Sequence, residues 1–168
     1  MEKRDLYDKN RNLTGKRMYK GEEIPEGKYI VVVLVYIQNS DGKFLIQKRS
    51  ERKNGKYATT GGHPKSEENS IQGIITEVKE EIGIELKPED LQLYFTGRED
   101  NEQVFFDDYY AKIDVPNIEN LVLQEEEVAS VHWFTTDEIH KLMKEGKFFK
   151  NHYEEFERLE KWLKNKEK

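Results

Sequence analysis

Residues Gly62 to Ile84 read GHPKSEENSIQGIITEVKEEIGI, and this stretch decides the fold of the chain. Placed at 100° per residue, Ile71, Ile74, Ile75, Val78 and Ile82 gather on one side of a helix, while Glu77, Glu80 and Glu81 share another. The spacing predicts a helix from about Glu68 to Ile82, stopped by Gly83, a residue suited to a left-handed cap. One face packs on a sheet and the other presents three carboxylates. Like charges three and four residues apart each cost a helix about 0.2–0.5 kcal/mol, so the arrangement calls for solvent or a cation to offset it. Hard carboxylate oxygens with no soft ligand nearby suit Mg²⁺ or Mn²⁺. A charge run on a helix is usually a solvated face, and that alternative stands on the residues alone.

Working outward, Tyr29 to Gln38 and Phe44 to Lys48 are β-rich segments around Asn39-Ser40-Asp41-Gly42, which predicts a hairpin with Gly42 at positive φ. Ser50 to Tyr57 is a charged loop, and Thr59 to Pro64 a turn that delivers the chain to the helix. Beyond it, Leu91 to Thr96, Val104 to Val115 and Val131 to Phe134 read as strands. Thr135-Thr136-Asp137-Glu138 starts a second helix, and Tyr153, Phe156, Leu159, Trp162 and Leu163 mark an amphipathic C-terminal one, taken as 146–168. Residues 1–28 form a polar arm. Strands interspersed with a few helices predict an α+β domain with a mixed sheet, one domain over 1–168.

With 28 Lys+Arg against 34 Asp+Glu, the net charge of -6 disfavours nonspecific binding to a nucleic-acid duplex. There is no cysteine, which excludes disulfides and thiolate chemistry. The apolar run Ile30 to Ile37 is far short of the ~20 residues of a membrane span, and the N-terminus lacks a secretory apolar stretch, so no membrane and a cytoplasmic location are expected.

Set in the frame of Gly62 and Gly83, the segment resembles the Nudix box, Gx5Ex7REUxEExGU with U aliphatic. Gly62, Glu68, Glu77, Val78, Glu80, Glu81, Gly83 and Ile84 match eight of its nine defined positions. The resemblance implies a loop-helix-loop motif on an α/β/α sandwich that hydrolyses a diphosphate bond in a nucleoside diphosphate or its derivative, with Mg²⁺ or Mn²⁺ as cofactor. Carried over, it makes Glu77, Glu80 and Glu81 metal ligands together with the Gly61 carbonyl. It gives Glu77, Glu81 and an acid outside the box, Glu127 of the run Glu125 to Glu127, to catalysis; the bland alternative for that run is a solvated loop. The box arginine, which in the family pairs with its glutamates, is here Thr76, uncharged and short. Lys79 lies on the wrong side of the wheel to replace it. A degenerate, non-hydrolytic nucleotide or metal binding module is therefore the competing expectation.

The arm and first strands also look like the branch of Nudix proteins similar to isopentenyl diphosphate isomerase. Gly61 stands where that isomerase needs a cysteine, and Ile30 and Leu34 stand where it has two metal-binding histidines, so isomerisation is disfavoured. Lys48 and Arg49 are expected to contact substrate phosphate, with His63 as a further contact; an ordinary strand end and a surface turn histidine are the alternatives. Of Phe105, Phe106, Tyr109 and Tyr110, one or two could stack on a base while the others fill the core. Gly73 either leaves room near the metals or merely weakens the helix. The partner is a small nucleotide or diphosphate, and a homodimer through the C-terminal helix stays open.

Overall fold

The apolar run becomes the central strand of the sheet in this computed structural model, which describes residues 1–167. Strand β3 (Ile30–Gln38) pairs in parallel with β8 (Val104–Lys112) from Ile30↔Val104 to Gln38↔Lys112. Both faces of β3 are covered, which is why its sequence is continuously apolar and does not alternate. Its neighbour in sequence, β4 (Phe44–Arg49), meets it only at Gln38↔Phe44. The turn forms as expected, with Gly42 at φ +81° and Asn39 Oδ1 accepting from the amides of Asp41 and Lys43. The hairpin then splays, because β6 (Thr60–Gly62) takes the edge of β3 at Val33 to Val35. Strand β4 pairs instead with β5 (Tyr57–Ala58) and β9 (Val128–Phe134). With β7 (Gln92–Glu99) beside β8, the result is a seven-stranded mixed sheet.

Helix α1 (Ser70–Ile82) covers one face of this sheet. Ile74, Val78 and Ile82 pack against Val31, Val33, Val35, Phe105 and Tyr109. Its capping box is formed by Asn69 and Gln72, and Gly83 closes it at φ +72°, so the helix starts at Ser70 where the spacing suggested Glu68. On the other face, α2 (Thr136–Lys144) and α3 (Tyr153–Lys166) place Ile139, Phe156 and Leu159 against Leu34, Tyr36, Phe44 and Ile46. The α+β, α/β/α reading therefore holds. Helix α3 begins at Tyr153, seven residues after 146, because Phe148 is first held in a bridge to Tyr57 and Lys150–His152 make a tighter turn. The end of the expected helix, Lys168, lies outside the described residues. The apolar face of α3 packs on its own sheet.

The N-terminal arm is an antiparallel hairpin, β1 (Lys3–Tyr7) and β2 (Leu13–Tyr19). A bridge between Tyr7 and Tyr29 ties it to the main sheet. Asp5 accepts from the Ser66 hydroxyl at 2.7 Å and the Glu67 amide at 2.9 Å, and the Lys3 carbonyl accepts from the Ser66 amide at 2.8 Å. The arm thus lies along the loop between β6 and α1. Among the described residues no helix is long and apolar enough to cross a membrane.

Candidate active site

A cavity of about 210 Å³ opens where β6, α1, the end of β4 and the arm meet. Its carboxylates are Glu77, Glu80 and Glu81 from α1, Glu127 ahead of β9, and Glu2 from the arm. Its cations are Arg4 and Lys20 from the arm, Arg49 at the end of β4, and Lys53 in the turn after it; Gly61, Gly62, His63 and Gln124 complete the wall.

The three glutamates of α1 are not equivalent. Glu81 is only 8% exposed, lying on the buried side of the helix although the wheel gave it the polar face. Gln47 Nε2 donates to its Oε1 at 3.3 Å. Burial, then the charge of Glu77, push the Glu81 carboxyl well above the usual carboxylate range. Burial likewise raises Glu77. Glu80 is exposed and bound by Lys65, whose Nζ donates to both of its oxygens at 3.0 and 3.2 Å and lies 4.0 Å from Glu77. Gly62 leaves the space that Glu77 needs, since a Cβ there would overlap the carboxyl and come within 2.7 Å of its Oε2. The cavity beside the buried Glu81 and the part-buried Glu77 suits a hard divalent cation, with the Gly61 backbone in the same wall. Among the described residues no three acidic or histidine side chains already converge on one point, so Glu77, Glu80 and Glu81 would have to draw together to complete a ligand set.

Thr76, at the position of the box arginine, donates to Glu68 Oε2 at 2.6 Å, and the Lys65 amide donates to Glu68 Oε1 at 2.7 Å. Lys79 is paired with Glu85 at 3.2 Å, away from this network.

Arg49 reaches the cavity, and Lys48 does not. Neighbours on a strand point to opposite faces, so Lys48 lies against the Tyr57 ring, 6.0 Å from its centre. The Arg49 guanidinium packs 4.4 Å from the centre of Phe149, and burial lowers its pKa. His63 is not a surface turn residue: it is partly buried in the cavity wall. Burial, and then the charges of Arg4, Lys20 and Lys53, hold its pKa down at about 4, so the ring is neutral. Of the acidic run only Glu127 lines the cavity, with Lys53 Nζ 3.4 Å from its carboxylate.

Packing decides the remaining expectations. Phe105 and Tyr109 are core residues under α1, Tyr110 lies in the core on the opposite face, and Phe106 stacks on Phe95 at 5.7 Å; none lines the cavity. Gly73 faces Pro64, whose Cγ a Cβ would approach to 2.6 Å, so the glycine lets the preceding loop lie on the helix. Residues missed by sequence reasoning are Arg4, Lys20, Lys53, Lys65 and Gln47. Only the alternation of β4, which sets Gln47 and Arg49 on one face, carried a usable signal for any of them.

A mixed sheet between helices, with helix carboxylates facing four cations across one cleft, is suited to breaking a phosphoanhydride. The sequence profile of the NUDIX domain matches residues 28–159. The chain is 35% identical over 152 residues to the uncharacterized Nudix hydrolase lmo0368 of Listeria monocytogenes, covering 88% of each. Its fold is similar to DR0079 of Deinococcus radiodurans at a TM-score of 0.72 and 18% identity, over 92% of this chain and 96% of that one. It is also similar to the NUDIX domain of Shewanella oneidensis NrtR, solved with ADP ribose, at 0.63 and 15% identity, over 80% and 88%. The chain belongs to the Nudix family and is a pyrophosphohydrolase of nucleoside diphosphate derivatives.

Proposed function

We propose that hydrolysis depends on Mg²⁺ or Mn²⁺ held by Glu77, Glu81, Glu80 and the Gly61 carbonyl, and that Arg4, Lys20, Arg49 and Lys53 bind the phosphates of the substrate. The observation that carries this reading is the single cavity in which those carboxylates face those four cations. A divalent cation there would screen phosphate charge and lower the pKa of an attacking water.

The chain's own residues supply the rest. Glu127 is the proposed base, since it is the one member of its acidic run in the cavity wall, where Lys53 Nζ lies 3.4 Å from its carboxylate. Arg49 offers a planar fork to a phosphate oxygen pair. Neutral His63 can accept or donate one hydrogen bond without adding charge. The substrate is gripped through its diphosphate, because no aromatic side chain other than His63 lines the cavity among the described residues. An isomerase role is disfavoured, because a side chain at Gly61 would meet the Val33 carbonyl oxygen at 2.6 Å, leaving no place for a cysteine.

The test is product release from a panel of nucleoside diphosphates, nucleotide sugars and dinucleoside polyphosphates with Mg²⁺, Mn²⁺ or chelator. Glu77→Gln and Glu81→Gln should each cut metal-dependent turnover about a hundredfold or more while the melting transition persists. Near-normal rates in both variants would overturn the assignment. Metal binding without cleavage anywhere in the panel would leave a binding module.

A further inference from the structure

We propose that Lys65 is a positioning residue that does the work of the missing box arginine, holding Glu77 and Glu80 in place from the loop instead of from the helix. This rests on the hydrolase reading above.

Glu77 and Glu80 are an i,i+3 pair of like charges, which repel unless a cation lies between them. Thr76 supplies none. Among the described residues the one side-chain cation within 4.0 Å of either carboxylate is Lys65, at 3.0 Å from Glu80 and 4.0 Å from Glu77.

Its placement is built in from three sides. Glu68 accepts the Lys65 amide with one oxygen and the Thr76 hydroxyl with the other, so position 76 still reaches the network, as a neutral anchor for the loop that carries the cation. Pro64 lies against Gly73, fixing the loop on the helix. Ser66 is held by Lys3 and Asp5 of the arm. A residue whose neighbours are pinned this way loses little further freedom when its ammonium is held. The cation thus reaches the helix carboxylates from position 65 of the loop.

Lys65→Ala, Lys65→Arg and the double variant Lys65→Ala/Thr76→Arg are compared with the wild type by steady-state hydrolysis and by calorimetric Mn²⁺ binding, with melting curves to check the fold. Lys65→Ala should lower kcat about tenfold or more with KM changed less than about threefold, as expected for lost orientation and not lost substrate binding. Lys65→Arg should keep kcat within about threefold, and Thr76→Arg should recover most of the loss. Mn²⁺ should bind Lys65→Ala about threefold or more tighter, because an ammonium no longer opposes the dication, and affinity should return in the double variant. If the double variant melts early, Lys65→Arg alone carries the comparison.

Wild-type kcat, unchanged Mn²⁺ affinity or a weakened one in Lys65→Ala, or an inactive Lys65→Arg, would overturn the proposal, as would a well-folded double variant that recovers nothing. If the wild type hydrolyses nothing, the hydrolase reading fails separately. Lys65 is then judged on Mn²⁺ alone: tighter binding in Lys65→Ala with wild-type binding in Lys65→Arg supports its role, and any other pattern rejects it.

Discussion

Arg11 and Asp107, 96 residues apart in the chain, form a two-point ion pair with Nη1–Oδ1 at 2.8 Å and Nη2–Oδ2 at 2.5 Å. Arg11 sits at φ +65° in the tip of the arm hairpin and Asp107 is buried in the middle of β8, so the pair latches the arm onto the sheet. Thr96 also donates to Asp107, at 2.7 Å. Arg11→Ala leaves a buried carboxylate short of its main partner and should cost about 2–3 kcal/mol. It should also raise KM, because Arg4 and Lys20 ride on the same hairpin. Urea unfolding and steady-state kinetics check both, and an unchanged midpoint would show that the latch carries no load.

The same pair sets an acid limit. Burial would raise the pKa of Asp107, but hydrogen bonds from Arg11, Ser70 and Thr96 outweigh it and hold the carboxyl below its ordinary value. A group depressed in the folded state contributes stability that is complete above its unfolded pKa, about 4, and is lost as pH falls through the folded value. Wild type should therefore lose stability below about pH 4 more steeply than Asp107→Asn, measured by melting from pH 6 to 3. Parallel curves would contradict the assignment.

Asp108, next along β8, behaves in the opposite way. It points to the other face, is 1% exposed, and its Oδ2 has no hydrogen-bond partner. Burial, then the charge of Glu155, push its pKa up to about 8, against a smaller opposing effect of Arg158. Between about pH 4 and pH 8 the folded chain binds a proton there that the unfolded chain does not, so stability falls as pH rises, by at most about 1.4 kcal/mol per unit. Asp108→Asn removes that slope and should melt higher than wild type at pH 8, with the gap narrowing toward pH 5. A gap that does not change with pH would sink this account.

What could be read in the sequence follows how local each signal is. The helix Ser70–Ile82 is legible because its period and its Gly83 stop lie within one segment, while its start is misplaced by two residues because the Asn69 cap goes unread. The strand Ile30–Gln38 was legible from its unbroken apolar run. Its splaying from β4 was not, because the competitor for its edge, Thr60–Gly62, comes more than twenty residues later and carries no strand pattern. Gly61, Glu77, Glu80, Glu81, Arg49, His63 and Glu127 line one cavity, whereas the alternation of β4 turns Lys48 away from it. Arg4 and Lys20 could not be found, since nothing local says that a polar hairpin folds back over the helix loop. Lys65 was overlooked for a related reason: a wheel compares residues within a helix, and this cation reaches the helix from outside it.

Gly62 offers a test of crowding at the carboxylates. It lies on β6 without a positive φ, so alanine is tolerated by the backbone, but its Cβ would occupy the place of the Glu77 carboxyl. Gly62→Ala should thus drive Glu77 out of position, reducing kcat about a hundredfold while melting shifts only slightly. Wild-type turnover would mean that Glu77 does not need its present place.

The arm cations provide the last test, and it separates recognition from chemistry. Lys20 makes no ion pair among the described residues, and Arg4 is paired only with Glu2 of the same hairpin, at 3.4 Å. Neither touches Glu77 or Glu81, so removing either should weaken the grip on phosphate and leave the carboxylate geometry alone. Lys20→Ala and Arg4→Ala are expected to raise KM about three- to tenfold each, with kcat nearly constant, and the double variant should lose more than either. Because the attraction is between charges at a partly open cleft, the wild-type KM should rise with added salt and the double variant should respond less. Equal salt dependence in both proteins, or a loss that falls on kcat instead of KM, would remove the arm from substrate recognition and leave it only its role in holding the helix loop.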